Sequence, residues 1–253
     1  MKDNLKYHNY YSYKTDRGRV RLTNQDQVTV LSNRVGDQLL VIADGLGGHN
    51  KGDYASKLAV DYISDAFCKN KGFLSIFIAK YWLQHIINAT NRLIYRYGEN
   101  NPTYKGMGTT LVMVLVRKGN IICFNVGDSR AYIYQKNVLK LISEDQSYVG
   151  FLTRSGQINE EEANKREDKN VLLSALGVYP STSTNVSIHM YKYEPIILCS
   201  DGLTNNLSSD EIISIIKDAN LDAEDKVNAL IDKANANGGS DNISVIYFTR
   251  NPA

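Results

Sequence analysis

Short apolar runs rich in β-branched residues recur along the chain. In four places they give way to longer stretches in which apolar positions return every three to four residues. Residues 7–15, 28–32 and 38–43 read as strands, the last two joined by a turn through Gly36-Asp37. A helix is expected from about Asp53, where Ala55, Leu58, Ala59, Tyr62, Ile63, Ala66 and Phe67 keep helical spacing. A second runs over about 74–97, with Phe77, Tyr81, Trp82, Ile86, Ile87, Leu93 and Ile94 available for one buried side. Residues 100–108 are polar and glycine-containing, hence a loop. Then 110–117, 121–126, 131–135 and 138–142 read as a meander, turning at Lys118-Gly119-Asn120, Gly127-Asp128-Ser129 and Lys136-Asn137. The charged stretch at about 146–180 reads as an inserted flap with short surface helices. Strands resume at 184–193 and 195–200. Ser208-Ser209-Asp210-Glu211 is a capping box before Ile212, Ile213, Ile215 and Ile216, a further helix covers about 223–236, and a last strand covers 243–249. The order is sheet, two helices, sheet, flap, sheet, two helices, strand. It predicts an α+β fold, a four-layer αββα sandwich in which two antiparallel sheets are flanked by helix pairs. No internal repeat or linker interrupts it, so residues 1–253 are expected to form a single domain.

Composition narrows this little. Hydrophobic residues make up 43% and charged residues 22% of 253, ordinary for a globular protein, and a net charge of +2 gives no reason to expect a nucleic acid or a membrane as partner. The early tyrosines Tyr7, Tyr10, Tyr11 and Tyr13 suit an edge strand. Cys68, Cys123 and Cys199 have apolar neighbours and no Cys-x-x-Cys spacing, so all three read as reduced and buried. No N-terminal stretch resembles a signal peptide and no apolar run is long enough to span a bilayer, so a cytoplasmic protein is expected.

The chemistry sits at strand ends. Val41-Ile42-Ala43 leads into Asp44-Gly45, Ile196-Ile197-Leu198-Cys199-Ser200 into Asp201-Gly202, and Gly238-Gly239-Ser240-Asp241-Asn242 precedes the last strand. One Asp-Gly is a common turn. The repeated pattern instead predicts three carboxylates at one sheet edge beside glycine turns, an oxygen-only site suited to Mg²⁺ or Mn²⁺ rather than Zn²⁺. Two such ions can share a water, lower its pKa and neutralise phosphoryl charge. Arg17, Arg19 and Arg21 precede Asp26, and one buried Arg beside Asp26 would suit a phosphate. Rival chemistries fail: the residues six beyond the cysteines are Leu74, Ser129 and Asn205, where a cysteine phosphatase needs Arg, and no Gly-x-x-x-x-Gly-Lys-Ser/Thr loop is present.

These segments resemble, in order and over nearly the whole chain, the type-2C family of metal-dependent Ser/Thr protein phosphatases, most closely its compact bacterial members. Residues 15–26 resemble the opening motif and Asp44-Gly45-Leu46-Gly47-Gly48-His49 the Asp-Gly-Met-Gly-Gly-His motif. Gly106-Met107-Gly108-Thr109-Thr110 and Val126-Gly127-Asp128-Ser129-Arg130 resemble the central pair, and residues 170–177 the segment closing the flap. Ser200-Asp201-Gly202-Leu203-Thr204 and Ser240-Asp241-Asn242-Ile243-Ser244 resemble the last two.

The resemblance implies a protein-serine/threonine phosphatase that hydrolyses phosphoserine and phosphothreonine through a water activated by two ions. Asp44, Asp201 and Asp241 would bind the first Mn²⁺ or Mg²⁺. Asp44 and the Gly45 carbonyl would serve the second, and Asp128 with Asp201 a third, weaker one. Arg21 would hold the substrate phosphate, Asp26 would orient the metal-bound water, and Asn242 would steady Asp241. Gln25 stands where many members have Glu; its amide can still hold a metal-bound water. Leu46 stands where animal members have a His that can serve as general acid, which leaves His49 or a metal-bound water for that task. The implied partners are phosphoproteins, including a Ser/Thr kinase and its targets, and the expected state is a monomer. Two alternatives are a non-catalytic phosphoprotein-binding regulator and a partner-switching phosphatase acting on an anti-sigma-factor antagonist. The intact Arg21, Asp44, Asp201 and Asp241 disfavour the first.

Overall fold

The computed structural model describes residues 7–47, 51–159, 162, 166, 168 and 171–252. One antiparallel sheet follows the order β1 (Tyr7–Asp16), β11 (Ile243–Pro252), β10 (Ile196–Cys199), β7 (Arg130–Gln135), β8 (Val138–Leu141). The other follows β2 (Asp26–Ser32), β3 (Gln38–Leu46), β5 (Leu111–Arg117), β6 (Asn120–Val126), β9 (Asn185–Met190), with β4 (Gly108–Thr109) beside the end of β3. Helices α1 (Lys51–Lys69) and α2 (Ile76–Asn100) cover the second sheet. The short α4 (Asp201–Thr204), then α5 (Ser209–Ile216) and α6 (Ala223–Ala236), cover the first. Helix α3 (Tyr148–Arg154) lies in the expected flap; most of residues 160–170, in the middle of the flap, lie outside the described residues.

The period-two geometry of strands explains the layers. Leu39, Val41, Met113, Leu115, Ile122 and Phe124 face α1 and α2, where they meet Ala59, Ile63, Phe67, Leu83 and Ile87. Their neighbours Leu40, Ile42, Val112, Val114, Ile121 and Cys123 point the other way, onto Ala131, Ile196, Leu198, Ile246 and Phe248 of the facing sheet. Ile197, Cys199, Val245 and Tyr247 then meet Leu203, Ile212, Val227, Leu230 and Ile231. Strands covered on both faces read as continuous apolar runs, which is why they show no alternation in sequence. The predicted capping box is present: Ser208 Oγ accepts from Glu211 N at 3.3 Å, and Glu211 Oε2 accepts from Ser208 N at 3.0 Å.

Four expectations need correction. The stretch 110–142 is not one meander, because β5 and β6 belong to one sheet and β7 and β8 to the other. The free edge of β6 is taken by β9, so the chain at Gly127-Asp128-Ser129 crosses between sheets. That crossing is tied down by Asn125 Nδ2, which donates to the Gly127 and Ser129 carbonyls at 3.2 Å each. Asp44-Gly45 is not a turn: β3 runs on to Leu46, and Gly45 pairs with Thr109. Cys68 is exposed, since one residue beyond buried Phe67 the helix has rotated away from the core. Phe77 and Tyr81 are also exposed, so the buried stripe of α2 is Ala79, Leu83, Ile86, Ile87 and Ile94.

Candidate active site

The carboxylates gather where the two sheets end together. Asp26 opens β2 and stands directly across from Asp44 on β3. Asp201 starts α4 just after β10, and Asp241 precedes β11. Asp128 lies on the crossing from β6 to β7. The backbone approaches itself closely here: a Cβ on Gly45 would lie 2.2 Å from the Gly52 carbonyl oxygen, so only glycine lets α1 start against β3. Asp44 is fixed through its backbone, its N–H donating to Thr110 Oγ1 at 3.1 Å and its carbonyl accepting from Thr109 Oγ1 at 2.8 Å.

Asp26 is fully buried, and Ser200 Oγ donates to its Oδ2 at 2.8 Å. Behind this pair, Ser244 N donates to Ser200 Oγ at 2.9 Å, Ser244 Oγ to Thr15 Oγ1 at 2.8 Å and Asn24 Nδ2 to Thr15 Oγ1 at 2.9 Å. Asn24 Oδ1 accepts from Asp26 N at 3.1 Å, which closes the ring. The sequence reading missed this hydroxyl ring. Its only signal was a Ser directly before Asp201 and another two residues after Asn242, and serines are too common for that to stand out.

The expected buried Arg beside Asp26 is not found, since Arg17, Arg19 and Arg21 are all exposed. Arg21 is brought to the site by Asp241, whose Oδ2 accepts from its Nη2 at 2.7 Å. The bond to Asp241 raises the guanidinium pKa, with Asp241, Asp201 and Asp44 adding charge. Asn242 does more than steady its neighbour. Its backbone N–H donates to Asp241 Oδ1 at 2.8 Å, while its side chain grips the segment that carries Arg21. Nδ2 donates to the Arg17 and Thr23 carbonyls, and Oδ1 accepts from Gln25 N, each at 2.9 Å. Gln25 reaches the turn after Asp44, its Nε2 donating to the Gly47 carbonyl at 3.4 Å. His49 lies outside the described residues.

The electrostatics are those of crowded carboxylates. Burial pushes Asp26 up to about 7, with Asp201 and Asp241 adding repulsion against the Ser244 and Ser200 hydrogen bonds. Desolvation and then Asp26, Asp201, Asp128 and Asp241 drive Asp44 well above the carboxylate range. Burial and Asp241 raise Asp201 to about 6, and burial, Asp201 and Asp145 raise Asp128 to about 8. Two buried oxygens, Asp26 Oδ1 and Asp201 Oδ1, have no hydrogen-bond partner. Mutual repulsion and orphaned acceptors both fit divalent cations, which relieve the first and take the second. Among the described residues no three His, Cys, Asp or Glu side chains close on one point, so much of a cation's coordination falls to water, as Mg²⁺ tolerates.

Beside Asp128 and Asp201 opens a cleft of about 620 Å³ that runs under α3 toward Leu141 and Ile212. On its wall Arg130 forms a two-nitrogen pair with Asp145, at 2.8 Å from Nε and 2.6 Å from Nη2. Neither residue had been given a role from sequence.

Protein phosphatase 2C is the family whose pattern matches this chain, over residues 15–238. The chain is similar to the serine/threonine phosphatase stp of Listeria welshimeri, 39% identical over 240 residues that cover 94% of this chain and 95% of that protein. It superimposes on the serine/threonine phosphatase Stp1 from Staphylococcus aureus with a TM-score of 0.90, at 33% identity and 94% coverage of each chain. It also superimposes on the catalytic domain of the serine threonine protein phosphatase PstP in complex with two manganese ions. There the TM-score is 0.84 at 29% identity, covering 97% of this chain and 99% of that one.

Proposed function

Because the chain belongs to the protein phosphatase 2C family and is a divalent-metal-dependent protein-serine/threonine phosphatase, we propose that the carboxylate end of the sandwich is its active site. In this reading Asp44, Asp201 and Asp241 would hold the first Mn²⁺ or Mg²⁺, Asp44 and the Gly45 carbonyl would serve the second, and Asp128 with Asp201 would hold a third. When bound, such ions lower the pKa of a shared water and neutralise charge on the phosphoryl group. Arg21 leaves Asp241 to bind two phosphate oxygens and sets the phosphorus in line for attack. Asp26, held by Ser200 through Oδ2, keeps Oδ1 free to accept a hydrogen bond from the attacking water and orient its lone pair. The P–O bond to serine or threonine breaks as the new one forms, and the proton given up by the attacking water is made good at the leaving oxygen, so that the products are the free hydroxyl and inorganic phosphate. Gln25 and Asn242 support the segment 17–26.

The single observation that carries this assignment is the paired orphan oxygens of Asp26 and Asp201 within one mutually repelling carboxylate cluster. Residues 1–253 act as one domain in this reading, as a monomer. The substrates are phosphoproteins; a Ser/Thr kinase and its targets are the partners we assign. Among the described residues no helix is long and apolar enough to cross a membrane. The free state of the three cysteines supports a cytoplasmic setting. A phosphothreonine peptide assayed with Mn²⁺, Mg²⁺ or EDTA tests the site. Turnover should vanish with EDTA, and Asp44→Asn should lower kcat by at least about a hundredfold. Near-normal turnover by Asp44→Asn would remove that residue from the centre of the site.

A further inference from the structure

Helix α2 carries a second apolar stripe, on the side away from its sheet. Phe77, Ile78 and Tyr81 lie on this outer face and are 65%, 49% and 74% exposed, and Leu74, just before the N-cap Ser75, is 93% exposed. Exposed Val35 lies beside them, since a Cβ on Gly72 would come within 2.7 Å of its side chain. Clustered large apolar side chains of this kind mark a contact surface.

Their place in the fold is specific. Ser32 pairs with Gln38 at the end of the β2–β3 hairpin, whereas Asp26 pairs with Asp44 at its mouth. The apolar cluster therefore sits roughly 20 Å along the strands from the catalytic carboxylates. At this far end, separate loops each present an exposed cation: Arg34, Lys71, Lys118, Lys136 and Lys192. On the side of α1 and α2 the acids are compensated: Asp37 is buried against Arg117, and Asp61 and Asp65 pair with Lys57 and Lys69. Across the other sheet Glu194 stands beside Lys192, and Asp222, Glu224 and Asp225 are exposed, so the positive face is the one around Arg34, Lys71 and Lys118. Residues 66–98 contain no Asp or Glu at all.

We propose that this far end docks the protein on an anionic lipid membrane surface. The aromatic and aliphatic side chains enter the headgroup layer, and Arg34, Lys71 and Lys118 beside them meet lipid phosphates. A second copy is a poor occupant, because two such faces would bring like charges together. Arg34, Lys71 and Lys118 come from three separate loops beside the apolar cluster instead of being gathered to match a few carboxylates, and this suits the smeared charge of a bilayer. Docked this way, the carboxylate end points away from the membrane and stays open to phosphoprotein substrates. A net charge of +2 hid this asymmetry, because it is the distribution that matters.

Flotation of the full chain with vesicles of phosphatidylcholine, alone or mixed with phosphatidylglycerol, tests the proposal. Binding should require phosphatidylglycerol and weaken at high salt. Lys71→Gln with Lys118→Gln should lower partitioning roughly fivefold per cation removed. Phe77→Ser with Tyr81→Ser should lower it as well. Both variants should keep the parent's melting temperature and its hydrolysis of p-nitrophenyl phosphate. The proposal is overturned if the parent stays unbound at low salt, if it binds pure phosphatidylcholine equally, or if it is a dimer that Phe77→Ser with Tyr81→Ser dissociates.

Discussion

Asn242 offers the sharpest test of how the site is assembled. It is 5% exposed, and its amide makes three hydrogen bonds to backbone groups of residues 17, 23 and 25, on both sides of Arg21. Asn242→Ala removes all three and leaves two carbonyls and one N–H without that partner. At a net value of about 1 kcal/mol per bond, the loss should be about 3 kcal/mol. For a domain of this size that is a fall in Tm of roughly 6–12 °C. Thermal melts should be run in EDTA so that cation binding does not mask the change. The bond from Asn242 N to Asp241 survives the substitution, so the effect on activity should pass through Arg21. Displacing a positioning group by about 1 Å can cost on the order of a hundredfold in rate. The loss in kcat/KM should therefore be non-additive with Arg21→Ala, because the second substitution removes a group already misplaced. A Tm within about 2 °C of the parent, or fully additive losses, would refute the clamp.

Arg21→Ala should raise KM for a phosphopeptide more than it lowers kcat, with little change in Tm because its bond to Asp241 is half exposed, while Arg19→Ala should leave steady-state kinetics nearly unchanged; the reverse order would shift the phosphate role to Arg19. In the metal-free protein Asp26, Asp201 and Asp128 titrate above the ordinary carboxylate value, so the folded state binds protons more tightly than the unfolded chain and stability falls as pH rises from about 4 to about 8. Melts in EDTA should therefore show a higher Tm at pH 6 than at pH 8, and saturating Mg²⁺ should shrink or reverse the difference; a metal-free Tm that climbs over this range contradicts the crowding. Asp128→Ala removes a carboxylate that repels Asp201, so it should keep the parent's Tm but raise the Mg²⁺ or Mn²⁺ concentration giving half-maximal rate, and an unchanged metal curve would leave no catalytic role for a third ion.

The layers were legible because burial on both faces imposes apolar runs such as Leu111–Arg117, and one-sided burial imposes helical spacing such as Ala55, Ala59, Ile63 and Phe67. Sheet membership was not. A short spacer of Gly127-Asp128-Ser129 fits a hairpin or a crossing equally well, and the choice depends on β9 occupying the edge of β6. The aspartates proposed to hold the ions stood out because strand-Asp-Gly recurs. Their supports did not: Ser200 and Ser244 matter only through partners such as Thr15 and Asp26, which lie far off in sequence. A buried Arg beside Asp26 was suggested by proximity along the chain, yet Arg17, Arg19 and Arg21 are all exposed and Arg21 meets Asp241. Phe77 and Tyr81 share helical spacing with the core stripe of α2, and nothing local distinguishes an outward apolar stripe from an inward one.

The pairing of β1 with β11 makes the assembly of the proposed site wait for a strand more than 220 residues further along the chain. Tyr7–Asp16 finds its partner only in Ile243–Pro252, and Asp241 and Asn242 sit just before that strand. At about 5–20 residues per second, a ribosome needs roughly ten to fifty seconds to travel from one to the other. Through that interval β1 is a tyrosine-rich strand with both edges unpaired, and the segment holding Arg21 has nothing to grip it. In the proposed reading, a nascent chain in which β11 has not yet emerged has no assembled site, however much of the second sheet has already folded. The same interval is when β1 most needs a chaperone, or a fast release from the tunnel, to avoid pairing with a neighbour's strand.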